Sequence, residues 1–235
     1  MASDKASEAQ TEVFLTMNIP LVLASGSAAR RMILRRAGVP FQLCRVEVDE
    51  ETLRQRYAAN GMTVSQMATA LAEAKARAAL ASLQEGASQT GRALGSCIIL
   101  GADQILEANG RIYNKPATLG EARQQLAALR GQIQHLRTAM VCLHYEQAST
   151  DHGGVTQLWH HVDSPRLHMR SFSDEVLERY LAVEGQELLY CVGACKVEGV
   201  GQQLFSSIEG NQDSIMGLPL LPLLEHLRAT KALPS

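Results

Sequence analysis

The chain has 235 residues, 46% of them hydrophobic and 20% charged, enough for one large domain or two small ones around a real core. Its 22 basic groups nearly cancel 24 acidic ones for a net charge of −2, which argues against a basic polynucleotide-binding coat and leaves anionic small molecules open. The composition also excludes disordered, collagen-like and disulfide-scaffold chains, and no apolar run approaches the roughly 18 residues of a membrane span.

Residues 1–17 are polar and Ala/Ser-rich, and read as a flexible tail before a domain over 18–235, with Met1 and Met17 both candidate starts. Ile19 to Ala24 is a short apolar strand that Ser25-Gly26-Ser27 turns into a helix over Ala28 to Ala37, stopped by Gly38-Val39-Pro40. Phe41 to Val48 reads as a second strand running into the acidic Asp49-Glu50-Glu51. Thr63 with Gln66 forms a capping box for a helix to Leu83, and Glu85 to Ser96 reads as a Gly/Ser loop. Cys97 to Leu100 is a buried strand leading into Gly101-Ala102-Asp103-Gln104, and Asn109-Gly110 is a two-residue hairpin signal.

Thr118 and Glu121 form a second capping box, opening a helix that closes at Gly131. Strands are expected over His135 to Tyr145, Val155 to Met169 and Leu188 to Cys195, with helices over Ser173 to Val183 and Leu220 to Ala229. Interleaved strands and helices without strict alternation indicate one α/β domain on a mixed sheet.

Familiar site signatures are missing: no phosphate-binding P-loop, dinucleotide fingerprint, H-E-x-x-H or G-x-S-x-G occurs. His160-His161 is the one histidine pair, and neighbours on a strand face opposite sides, so it chelates poorly. Cys44, Cys97, Cys142, Cys191 and Cys195 are odd in number and form no Cys-x-x-Cys pair, so they read as the reduced thiols of a cytoplasmic protein. No basic-then-apolar leader opens the sequence.

Four stretches carry chemistry. Ser25-Gly26-Ser27 with Arg30 and Arg31 sits at a strand-to-helix junction, where helix-start N–H groups and a guanidinium suit an anion; taken alone, an ordinary serine cap with solvated arginines is the commoner arrangement. Asp103, just past an apolar strand, is placed to hold a metal or orient water, or else to cap a turn. Lys115 stands on the stiff Asn114-Lys115-Pro116 turn, as a ligand for an anion or a solvated surface lysine. The glycines from Gly193 to Gly217 mark either tight turns or close approach to a ligand.

Taken in order, these segments resemble the Maf family of nucleoside triphosphate pyrophosphatases. The carrying residues are Leu23 to Ser27 with Arg30-Arg31, Val48-Asp49-Glu50, Ala74-Lys75-Ala76, Gly101 to Gln104 and Lys115-Pro116. In the last third they are Glu198-Gly199, Leu204-Phe205, Ile208-Glu209-Gly210 and Gly217 to Leu220, so the likeness spans about Ile19 to Ala232.

The resemblance implies a Maf/Ham1 (ITPase-like) elongated α/β fold, its mixed sheet flanked by helices with a cleft between two lobes, in a homodimer. It implies hydrolysis of non-standard nucleoside triphosphates to monophosphate and pyrophosphate with Mg²⁺ or Mn²⁺; charge and hydropathy already lead us to expect no polynucleotide or membrane partner. Asp103 would activate water, Glu50 and Asp103 would hold the metal, and Ser25, Ser27, Arg30, Lys75 and Lys115 would bind phosphates. Three positions that tune base choice read Ala29, Gln104 and Glu198, nearer the 7-methyl-GTP branch than the dTTP/UTP branch. Ala28, Asn114, Cys195 and Asn211-Gln212-Asp213 depart from the family pattern, and the last two departures suggest an alternative: a weakly catalytic, nucleotide-binding regulator of cell division.

Overall fold

In the computed structural model, which describes residues 16–147 and 153–234, eight strands form one mixed sheet. In chain order the elements are β1 (Leu21–Ala24), α1 (Ala28–Arg36), β2 (Gln42–Leu43), α2 (Glu50–Ala59), α3 (Val64–Gln89), β3 (Cys97–Ala108) and β4 (Arg111–Tyr113). Then come α4 (Leu119–Leu129), β5 (Ile133–Glu146), β6 (Gly154–Asp163), β7 (Arg166–Met169) and α5 (Asp174–Glu184). Short 3₁₀ turns between Gly185 and Leu204 lead to β8 (Phe205–Glu209), α6 (Gln212–Ile215) and α7 (Leu220–Ala229).

The spine of the sheet is the antiparallel pair β3 and β5, in register from Cys97 opposite Tyr145 to Glu107 opposite His135. The other edge of β3 is shared. Parallel β1 covers Ile98 to Gly101, and β4 folds back on Leu106 to Ala108. Between them the edge from Ala102 to Ile105 has no strand partner among the described residues. The outer edge of β5 is likewise divided, β6 covering Thr138 to Glu146 and β7 covering Ile133 to His135, with β8 beyond β7. Two half-sheets therefore share two long strands, and a gap in pairing falls at the middle of β3. In open α/β sheets such places receive ligands.

β3 is buried on both faces, which explains its unbroken apolar start. Ile98, Leu100 and Ala102 pack with Ile33 and Leu34 of α1 and Leu223 and Leu227 of α7. Cys97, Ile99 and Ile105 pack on the opposite side with Leu71, Ala72 and Ala76 of α3. The period-2 alternation assigns Asp103 to the α3 side. A third cluster, including Leu126, Leu129, Leu177 and Tyr180, fills the other half-sheet.

Local signals held where they were strongest. The Thr63–Gln66 capping box is formed in both directions. Asn109 (φ 51°) and Gly110 (φ 71°) make the left-handed turn expected of the hairpin. Thr118 caps α4 by accepting from the Glu121 N–H, but the Glu121 carboxylate takes the Ala117 N–H rather than closing a box.

Elsewhere the sequence expectations need correction. The strand expected over 41–48 is only Gln42–Leu43, because β1 offers it just Val22 and Leu23 to pair with. The acidic run after it caps and begins α2, an unexpected helix with Asp49 accepting from the Thr52 N–H. α3 runs on to Gln89 through the expected Gly/Ser loop; its exposed end tolerates Gly86 at about 1 kcal/mol relative to Ala. Pro165 splits the expected 155–169 strand into β6 and β7. The run 188–195 is not a strand: Gly193 (φ 66°) and Ala194 (φ 54°) fold it into 3₁₀ turns. β8 and α6 had no expectation. The tail expected over 1–17 falls outside the described residues except at Thr16 and Met17, and Met17 packs against the core.

One buried polar pair predicts acid sensitivity. His144 Nε2 and His226 Nε2 lie 2.8 Å apart, and Trp159 stacks on His226 with centroids 4.1 Å apart. Burial pulls both imidazoles below the ordinary histidine range, His226 to about 4, with His144 as its second cause. An unfolded chain protonates them near pH 6.5, so the stability of the neutral pair is intact above about pH 6.5 and is lost as pH falls through about 4. The thermal midpoint should drop across that window, with Trp159 fluorescence following it, and His226→Phe should flatten the drop. A midpoint indifferent to pH between 6.5 and 4.5 would contradict this.

Candidate active site

A cavity of about 410 Å³ opens at the unpaired edge of β3. It is lined by Ser27, Ala29, Arg30, Glu50, Lys75, Asp103, Gln104, Lys115 and Glu198, every residue to which the resemblance gives a role except Ser25. Ser25 lines an adjoining space of about 480 Å³ that shares Ser27, Arg30, Glu50, Lys75 and Lys115.

The junction after β1 forms the serine cap, and its residues also face the cavity. Ser27 caps α1, accepting from the Arg30 N–H at 3.3 Å, while also facing the cavity. Arg30 is no solvated arginine, being 9% exposed. Its Nη1 donates to Ser25 Oγ at 3.2 Å and its Nε to the Gly217 carbonyl at 2.8 Å. Gly217 needs φ 105° to aim that carbonyl, a backbone state that favours glycine.

Asp103 corrects the expectation of an acid beyond a strand end. It lies inside β3, but β1 has already ended opposite Gly101, so the acid emerges past its parallel neighbour. Its side chain is held from α3: Lys75 Nζ lies 2.5 Å from Asp103 Oδ1 and 2.8 Å from Glu50 Oε1. Glu50 is at the first turn of α2, and its Oε2 accepts from Arg54 Nη2 at 2.7 Å. Burial pushes the Glu50 carboxyl up, yet Lys75, Arg54 and Lys115 outweigh that and hold it below the usual range. Lys115 is lowered by burial first and then by the Arg30 charge. Asp103 is 3% exposed and its Oδ2 has no hydrogen-bond partner among the described residues. A buried carboxylate oxygen left unpaired is costly unless a ligand, ion or water completes it.

Gln104 faces away from Asp103 on the strand but reaches the same cavity. Its Nε2 is committed to Thr138 Oγ1 at 2.8 Å and to the Ser214 and Ile215 carbonyls at 3.1 and 3.0 Å. The carbonyl oxygen is then the end left to a ligand, an acceptor.

Sequence reasoning missed several lining residues. Arg54 ties Glu50 to Asn114, whose Oδ1 accepts from its Nη1 at 2.7 Å. The Glu50-x-x-x-Arg54 spacing is a helix pair and would have been a signal had α2 been expected. Tyr190 and Cys191 lie in the run taken for a strand, and nothing in the sequence marks them as lining residues.

Comparison with known proteins gives the chain a family. Residues 20–230 match the family described as Maf-like protein. The chain belongs to the Maf-like family. A nucleoside triphosphate pyrophosphatase of Gluconobacter oxydans is 46% identical over 221 residues, which are 94% of this chain and 100% of the relative. One from Granulibacter bethesdensis is 41% identical over 213 residues, 91% of this chain and 98% of the relative. A 7-methyl-GTP pyrophosphatase of Rhizobium meliloti is 35% identical over 215 residues, 92% of this chain and 98% of the relative. The mixed α/β architecture read from the Maf-like segments is the one observed.

Proposed function

We propose that this chain hydrolyses nucleoside triphosphates to nucleoside monophosphate and pyrophosphate, clearing modified nucleotides from the pool. Membership of the Maf-like family and the names of its relatives support the reaction class. One observation carries the mechanism: Asp103 is buried at a cavity wall, fixed through Oδ1 by Lys75, with Oδ2 unpaired. That oxygen takes a proton from water as the water oxygen bonds to the α-phosphorus. The Pα–O–Pβ bond breaks, and pyrophosphate leaves with the electron pair. Ser25, Ser27, Arg30, Lys75 and Lys115 bind the phosphates in this reading. Lys115 has no ion-pair partner among the described residues and can give its charge to a ligand.

A divalent cation, Mg²⁺ or Mn²⁺, belongs to the same reading, and the residues fit it. The described residues offer no cluster of three or more acidic, histidine or cysteine ligands, but a hard cation in a phosphate site often needs just one or two carboxylates. The Asp103 carboxylate would be one donor: its unpaired Oδ2 has two lone pairs, one for the ion and one for the proton of water. Charge argues the same way: Arg30, Arg54, Lys75 and Lys115 on the cavity wall are matched by Glu50, Glu51, Asp103 and Glu198. The wall alone therefore does not neutralise a polyanionic triphosphate. Glu50 and Asp103 would hold the ion, which would supply that neutralisation.

For the base, Ala29, Gln104 and Glu198 are the proposed selectors. The Glu198 carboxylate can accept from guanine N1–H and its exocyclic amine, and the name of the Rhizobium meliloti relative supports 7-methyl-GTP as a substrate. Glu198→Gln should cut kcat/KM for guanine-type triphosphates relative to pyrimidine ones by about tenfold. An unchanged substrate ranking would remove Glu198 from this role.

Five free cysteines suit a reducing cytoplasm. The β6 edge exposes Val155 and Leu158, a surface that suits a homodimer. Pyrophosphate release across canonical and methylated triphosphates, with Mg²⁺ or Mn²⁺, tests the function. No turnover on any of them would overturn it, and tight binding without turnover would favour a nucleotide-binding regulator.

A further inference from the structure

Tyr190 ends the 3₁₀ turn that follows α5 and is 74% exposed, the highest value among the exposed large hydrophobic side chains of the described residues. The other tyrosines are at least partly covered, with Tyr113, Tyr145 and Tyr180 buried. Exposing a ring this way forfeits the burial that usually justifies an aromatic side chain.

The ring is not on bland surface. Tyr190 lines both adjoining cavities together with Ala29 and Glu198, and it is the only aromatic residue on either wall among the described residues. Its chain neighbour Cys191 feels the Glu198 and Lys115 charges, which sets this turn beside the proposed base selector and a proposed phosphate ligand. Val192, Cys195 and Val197 extend the wall without a ring, and Ala29 contributes only a methyl group.

We propose that Tyr190 is the face on which the nucleobase stacks, and that it favours a purine carrying a positive charge. The inference rests on the nucleotide reading above and names its substrate class more closely. Every base has a π-face that an aromatic ring can cover, whereas a cationic ring is attracted additionally by the tyrosine quadrupole. Methylation at N7 fixes a positive charge on the imidazole ring of guanine. The Glu198 carboxylate on the same wall attracts that charge and accepts from the Watson–Crick edge. Tyr190 thus selects for charge and Glu198 for the donor pattern.

Equilibrium binding to the whole chain tests this without relying on turnover. The probes are 7-methyl-GMP, GMP and inorganic pyrophosphate, none of which has a triphosphate to hydrolyse. Tyr190→Ala should weaken 7-methyl-GMP about tenfold, weaken GMP less, and leave pyrophosphate unchanged. Tyr190→Phe should bind all three as the parent does, since the ring and not the hydroxyl is used. The exposed position makes both variants foldable, which circular dichroism verifies. Unchanged 7-methyl-GMP binding in Tyr190→Ala, an equal loss for all three probes, or a parent that binds neither mononucleotide would overturn the proposal. A parent that shows this binding pattern yet releases no pyrophosphate would overturn the hydrolytic reading and leave Tyr190 in its role.

Discussion

Asp103→Asn should lower turnover by about a thousandfold while the protein stays folded. Asparagine is nearly isosteric and its carbonyl can still accept from Lys75, so the contact at 2.5 Å survives in altered form. Lys75 also keeps its ion pair with Glu50 at 2.8 Å, which limits the cost of removing one charge from a buried group. What the amide cannot do is take a proton from water. At saturating Mg²⁺ the loss should therefore fall on kcat, with KM for the triphosphate changing little, the pattern of an interaction made in the transition state. Steady-state pyrophosphate release and a thermal melt of the same preparation check both halves. Full activity would mean that another group is the base, and a collapsed melting temperature would mean that Asp103 acts through structure.

The second large effect lies two residues back along β3. A Cβ on Gly101 would sit 2.0 Å from the Ala72 carbonyl oxygen and 3.0 Å from both the Ala76 nitrogen and Cβ. These are mostly backbone atoms of α3, which cannot swing aside as a side chain does. Gly101→Ala must push α3 from β3, at about 3 kcal/mol or more. For a domain of this size that is about 10 °C in melting temperature. Lys75 lies on α3 between Ala72 and Ala76, so the displacement also moves its ammonium from Asp103, and activity should fall with stability. Gly26→Ala is the control, because nothing lies within 4 Å of a Cβ there. Equal stability of the two variants would show that α3 is not seated on Gly101.

How much of this was legible follows from whether the signal is local. The Thr63 capping box, the Asn109-Gly110 turn and the apolar opening of β3 depend on a few neighbouring residues, and each formed. α2 was illegible because it buries no residue, so no apolar period marks it; the Asp49 cap and the Glu50–Arg54 pair were its faint signature. The 188–195 run misled because its apolar content is spent on 3₁₀ turns, with the left-handed backbone at Gly193 and Ala194 hidden in ordinary-looking letters. β8 is exposed along most of its length and had no alternation to read.

The site shows the same division. Ser25, Arg30 and Asp103 stood in recognisable segments, but their neighbours are brought in by the fold. Arg30 meets Gly217 across 187 positions, and Gln104 meets Ser214 across 110. No spacing rule spans such separations, and family resemblance supplied the order in which the segments belong together. Resemblance could not supply Arg54, Asn114 as its acceptor, or Tyr190.

In the proposed reaction, water deprotonated at Asp103 attacks the α-phosphorus. Hydrolysis in ¹⁸O-water, followed by mass spectrometry of the two products, tests it most directly. The heavy oxygen should appear in the nucleoside monophosphate, with pyrophosphate unlabelled. Label in the pyrophosphate would mean attack at the β-phosphorus, and would contradict it.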